Sequence, residues 1–113
     1  MAKINSKDKG KRFERQLAEI FRSYGYEEAR RTAQYCGNTG DAADVVGLPG
    51  IHVEAKHQER MSLYDWVHQA QRDAEGTGKD PVVFHKANRK EILVTMSLPT
   101  FMKLYKEASK DGE

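Results

Sequence analysis

Between residues 9 and 24 the apolar side chains Phe13, Leu17, Ile20, Phe21 and Tyr24 recur at helical spacing, and Gly25 follows as a stop signal. This predicts an amphipathic helix. Residues 27–32 read as a short strand ending near Arg30 and Arg31, and the polar, glycine-bearing stretch 34–41 reads as a loop. The period then shortens to two. Residues 43–48 and 51–56 are predicted to form a hairpin around Pro49-Gly50, whose residue types suit a tight turn. Ser62 is placed to cap a second helix reaching about Ala74, with Leu63, Trp66, Val67, Ala70 and Ala74 on one face. Residues 75–81 break it. Residues 82–84 and 92–94 read as short apolar strands on either side of the polar Asn88-Arg89-Lys90. Ser97 and Pro99 open a last helix carrying Leu98, Phe101, Met102, Leu104 and Tyr105, and residues 109–113 are expected to be a disordered tail. The order helix, strands, helix, strands, helix predicts an α/β fold, a mixed sheet with helices packed on it.

At 113 residues the chain suits one domain, expected to span residues 1–108. No apolar run approaches the roughly 20 residues that cross a bilayer, and Met1-Ala2-Lys3-Ile4-Asn5 lacks the apolar segment of a secretory signal, so a soluble, cytoplasmic protein without a membrane partner is expected. Cys36 is the only cysteine, which excludes an intrachain disulfide and argues against cysteine-based zinc binding. His52, His57, His68 and His85 make no zinc-type pair and are read as surface or DNA-contacting groups; His52 and His57 lie close enough in sequence to Glu54 and Lys56 to touch phosphate there.

The net charge of +2 and pI of about 8.7 are only mildly basic, so distribution matters more than the total. Lys3, Lys7, Lys9, Lys11, Arg12 and Arg15 crowd the first helix and its lead-in, Arg30 and Arg31 are adjacent, and Lys86, Arg89 and Lys90 surround a hairpin tip. Three such sites around one acidic centre would suit a phosphate backbone; solvated lysines are the plainer alternative for any one cluster.

An acidic centre is in fact encoded. Along 51–56 the apolar Ile51, Val53 and Ala55 alternate with His52, Glu54 and Lys56, so Glu54 and Lys56 share one strand face, and Asp44 opens the partner strand. Two carboxylates, with the carbonyl of Ala55, suit a hard cation such as Mg²⁺. Lys56 would then orient or deprotonate the attacking water, or neutralise a pentavalent transition state; the residues leave the choice open. The structural alternative is a strand-end cap at Asp44 and an exposed Glu54–Lys56 couple contributing at most about 1 kcal/mol. Glu14 falls on the flank of the first helix's apolar stripe, where it can approach the sheet edge or simply be solvated. Tyr64 and Trp66 offer rings for base stacking, although Trp66 lies on the apolar face and suits a core or dimer contact better. The final helix carries more apolar surface than it needs alone, part of it available to a second subunit.

From Lys9 to about Tyr105 the chain resembles the PD-(D/E)XK nuclease superfamily, most closely its small Holliday-junction-resolvase-like members and the compact phage or prophage endonucleases, VRR-NUC domains included. The matching elements are Glu14 in Gly10-Lys11-Arg12-Phe13-Glu14, Asp44 in Ala43-Asp44-Val45-Val46-Gly47, the Glu54-Ala55-Lys56 triplet, and Gln69 in His68-Gln69-Ala70-Gln71. Ala43 stands where the family usually has proline. The resemblance implies a restriction-endonuclease-like core of about five strands flanked by helices. It also implies Mg²⁺, with Mn²⁺ able to substitute, held at Asp44, Glu54 and Ala55, and catalysis by Glu14, Asp44, Glu54, Lys56 and Gln69. Helix phase alone would favour Gln71 over Gln69, and Asp41 is a rival to Asp44. The expected partners are DNA, contacted by Lys11, Arg12, Arg30, Arg31, Lys86 and Arg89, and a second copy in a homodimer. A small dimer favours recognition of DNA shape, hence branched DNA. The alternatives are a nickase, flap or restriction-like nuclease, and a non-catalytic nucleic-acid-binding module that keeps the fold.

Overall fold

The computed structural model describes residues 6–32 and 43–111. In them α1 (Ser6–Ser23), β1 (Arg30–Arg31), β2 (Val45–Val46), β3 (Ile51–His57), α2 (Leu63–Ala74), β4 (Asp80–Lys86), β5 (Leu93–Thr95) and α3 (Leu98–Asp111) follow in order. The strands form one mixed five-stranded sheet, β1-β2-β3-β4-β5. Only β3 and β4 run parallel; the other three pairings are antiparallel. A parallel pair needs a crossover between its strands, and α2 supplies it. This is the α/β architecture that the alternating pattern predicts.

The two faces of the sheet bury different residues. Phe13, Leu17, Ala18 and Phe21 of α1 pack with Val45, Val53 and Ala55, and Phe84 meets Phe21 edge to face at 5.3 Å. Trp66 and Ala70 of α2 pack on Val83 from the other side. Alternation along β3 therefore sends Val53 and Ala55 toward α1 and His52, Glu54 and Lys56 toward α2. Burial of the α1 face follows directly from the spacing of its apolar residues.

Local chemistry sets the ends of these elements. Gly25, at φ +106°, lets the chain leave α1 in a left-handed residue, with its N–H on the carbonyl of Arg22 (2.9 Å) and that of Tyr26 on Phe21 (3.1 Å). The Pro49-Gly50 turn is closed by the Ile51 N–H on the Leu48 carbonyl at 3.2 Å. Ser62 does occupy the cap position of α2, but its side chain makes no cap hydrogen bond. Ser97 behaves as expected, its Oγ accepting the Thr100 N–H at 3.4 Å.

Several boundaries differ from the sequence reading. Helix α1 starts at Ser6, inside the lysine-rich lead-in. The strand expected over 27–32 contracts to Arg30–Arg31, because a turn with the Ala29 N–H on the Tyr26 carbonyl (3.1 Å) occupies its first half. Helix α3 runs through Asp111, past the start of the expected tail, since nothing before Gly112 breaks it. It leaves Leu98, Phe101, Met102 and Tyr105 exposed, and its Lys103 bridges to Asp80 at 2.9 Å. Lys3, Cys36, Asp41 and the loop expected over 34–41 lie outside the described residues. Among the described residues no helix is long and apolar enough to cross a membrane.

Candidate active site

Asp44 sits one residue before β2, clamped from both sides. Its N–H donates to the Val53 carbonyl (2.9 Å), and its carbonyl accepts the Thr32 N–H (3.1 Å). The Thr32 hydroxyl donates to the neighbouring Ala43 carbonyl at 2.8 Å. With the backbone held, the carboxylate of Asp44 reaches across to β3, where Oδ2 accepts the Ala55 N–H at 2.8 Å. Burial pushes this carboxyl from 3.8 up to about 7, and the charge of Glu54 pushes in the same direction. The Ala55 N–H opposes them, followed by a small rise from Glu14 and a small lowering from Lys56. Asp44 and Glu54 are thus brought close enough to repel.

Glu54 projects from the α2 face of β3 with a side chain only 3% exposed. Its Oε1 lies 3.3 Å from His52 Nε2 and its Oε2 3.9 Å from Lys56 Nζ. Lys56 in turn donates to Oε1 of Gln69 at 3.0 Å, so the crossover helix anchors the ammonium beside the acid. Gln71, which helix phase favoured, is exposed and lines a cavity with Val67 and Thr95, on the β5 side of α2. The apolar stripe Trp66, Ala70, Ala74 centres the helix on the sheet and turns Gln69 toward β3.

Glu14 arrives from α1 and accepts a hydrogen bond from Arg31 Nε at 2.8 Å. Burial raises its carboxyl; the hydrogen bond and charge of Arg31 work against that, and Glu54 adds a further rise. Its position on the flank of α1 places it within electrostatic reach of both other acids. Three carboxylates from three elements, two of them strongly desolvated and mutually repelling, are a donor set that a hard divalent cation would relieve. The chemistry of the site fits such an ion at Asp44 and Glu54. The contact seen at Ala55 is through its amide, which holds Asp44.

The whole of this arrangement lies within the segment matched by a family model: residues 5–112 fit the model described as Phage putative PDDEXK endonuclease. The chain belongs to that family. No curated protein and no solved structure matches it.

In this PDDEXK chain some of the basic residues gather at two concavities. Arg12, Arg30 and Arg31 share an open groove of about 600 Å³ with Arg15 and Arg22, so part of the first sequence cluster joins the second. Lys86 and Arg89 line a second concavity of about 540 Å³ at the β4–β5 tip, next to His57, which pairs with Lys86 in register. Lys11 is part of neither wall.

The interior reading of Trp66 holds, whereas the surface reading of two histidines needs correction. Trp66 is 5% exposed and packed near His85 (5.5 Å between ring centroids), which removes it from base stacking, whereas Tyr64 is open to solvent. His52 and His85 are 1% and 2% exposed and are interior groups. His85 Nε2 pairs with the Thr95 hydroxyl at 2.8 Å, and burial holds its pKa below the usual imidazole value. Sequence reasoning placed His52 on the Glu54 face but missed that α2 covers it, and it missed Asp73 altogether. A ring nitrogen of His52 and carboxylate oxygens of Glu54 and Asp73 lie within 4.8 Å of one another.

Proposed function

We propose that this protein is a Mg²⁺-dependent endodeoxyribonuclease acting on branched DNA, in which Asp44 and Glu54 hold the cation, with Ala55 beside them. The observation that carries the reading is the convergence of Asp44, Glu54, Lys56 and Gln69, joined by Glu14 on the α1 side. A bound divalent cation supplies charge neutralisation at the phosphoryl group and acidifies the attacking water. Mn²⁺ substitutes because the ligands are oxygens.

The roles of the side chains follow from what each already touches. Lys56 has three N–H donors, one committed to Gln69, which leaves donors for a phosphoryl oxygen as negative charge builds there. Gln69 fixes the direction of that ammonium. Glu14, tied to Arg31, completes the acidic wall. The arginine groove and the separate concavity that holds Lys86 and Arg89 supply two cationic surfaces for phosphates, which supports a substrate contacted at more than one place. The exposed Leu98, Phe101, Met102 and Tyr105 of α3 support a homodimer, tested by sedimentation of the full chain.

The experiment is cleavage of a labelled four-way junction beside linear duplex, flap and single-stranded DNA, with Mg²⁺ and with chelator. Wild type should cut the junction with paired incisions only when Mg²⁺ is present, and Glu54→Ala and Lys56→Ala should abolish cutting while leaving most DNA affinity. Cutting of other substrates in preference would replace the branched-DNA reading with a nickase, flap or restriction-like one. Binding without any cutting would leave a nucleic-acid-binding module.

A further inference from the structure

Glu54 is the most deeply buried acid of the site, and a buried carboxylate needs both oxygens accounted for. One of them faces Lys56. The other, Oε1, lies 3.3 Å from Nε2 of His52, two residues earlier on the same face of β3 and itself 1% exposed. A carboxylate only accepts, so the imidazole is the donor. The arrangement extends into α2. Gln69 and Asp73 stand one helical turn apart on that helix, and they meet Lys56 and His52, which stand four residues apart on β3. Helix and strand run in opposite directions, so Gln69 reaches Lys56 and Asp73 reaches the neighbourhood of His52, with Glu54 between the two couples.

Resting on the metal-site reading above, we infer that His52 is a positioning residue for Glu54: its N–H holds Oε1 so that Oε2 is presented to the divalent cation. His52 is almost fully buried with its ring nitrogen at hydrogen-bonding distance from Oε1, and we read this geometry as an imidazole holding a ligand, with the cation on the Oε2 side. A carboxylate oxygen of Asp73 lies within 4.8 Å of both the imidazole nitrogen and the Glu54 carboxylate. Partners of this kind, lying behind a ligand, commonly change metal affinity by about 10–100-fold when removed.

The test is Mn²⁺ titration of the full chain followed by electron paramagnetic resonance, with metal-free stability measured for each variant by urea unfolding. His52→Leu fills the buried space but cannot donate, whereas His52→Gln places an amide N–H near the position of Nε2. His52→Leu should weaken Mn²⁺ binding by about 10–100-fold, and His52→Gln should stay within about threefold of wild type. Wild-type affinity in His52→Leu would overturn the inference, leaving His52 a packing group. Equal losses in the Leu and Gln variants would overturn it by making His52 a direct ligand. Asp44→Ala is the separate control: if it binds Mn²⁺ as wild type does, the metal-site reading itself fails, whatever His52 does.

Discussion

Replacing Asp44 by Asn should stabilise the metal-free protein at and above neutral pH, although it removes a residue of the candidate site. The native carboxyl is raised from 3.8 to about 7, by burial first and by Glu54 second. A native pKa above the unfolded one means that the folded chain holds this proton more tightly. Between about pH 4 and pH 7 the native state therefore binds more protons than the unfolded state, and stability falls as pH rises. Below that window both states are protonated and nothing is lost; above it the loss is complete. With a tenfold change in proton affinity worth about 1.4 kcal/mol, the whole effect is about 4 kcal/mol. That is large beside the roughly 5–15 kcal/mol that holds an ordinary domain together.

The measurement is urea unfolding in chelator at pH steps from about 4 to about 8, followed by circular dichroism and by the fluorescence of the single tryptophan, Trp66. Other titrating groups are common to both proteins and largely cancel in the difference. The Asn variant should match wild type at the acid end and exceed it by up to about 4 kcal/mol at the alkaline end. Mg²⁺ at a hundred times its Kd should narrow that gap to about 1–2 kcal/mol, since it adds about 2.7 kcal/mol to wild type and nothing to a variant that has lost the site. A difference that stays flat with pH, or an Asn variant less stable than wild type in chelator at the alkaline end, would refute the reasoning.

Three further outcomes follow from particular contacts. Gln69→Ala should lower the cleavage rate by about 100-fold, by releasing Lys56, while Gln71→Ala leaves it unchanged; single-turnover rates separate the two. Arg31→Met should cost about 1–3 kcal/mol near neutral pH by stranding the half-buried Glu14, and much less at about pH 4, where that carboxyl is protonated; paired urea titrations read both. Gly47→Ala should destabilise by about 1–3 kcal/mol or more, because Gly47 sits at φ +94° and a Cβ there would run into the backbone of Glu28; a lowered urea midpoint checks it.

The parts of this molecule legible in its sequence are those set by short-range period. The α1 stripe, the β2–β3 hairpin and the shared face of Glu54 and Lys56 each follow from spacing over a few residues, and the structure has all three. What spacing cannot supply is the identity of the element that covers a face. His52 alternates with Val53 just as a surface histidine would, and only the return of α2 across that face turns it into an interior group. The same crossover brings Gln69, and not Gln71, to Lys56. On the helix alone Gln71 lies closer to the apolar stripe, yet the strand beneath α2 offers Lys56 on the Gln69 side, and the partly buried ammonium takes Gln69 as its partner. Asp73 carries no local mark either; one turn beyond Gln69, it matters because β3 places His52 opposite it. The acids and the lysine could be read from one strand and one turn, whereas the groups that orient them belong to a helix whose docking is a property of the whole sheet.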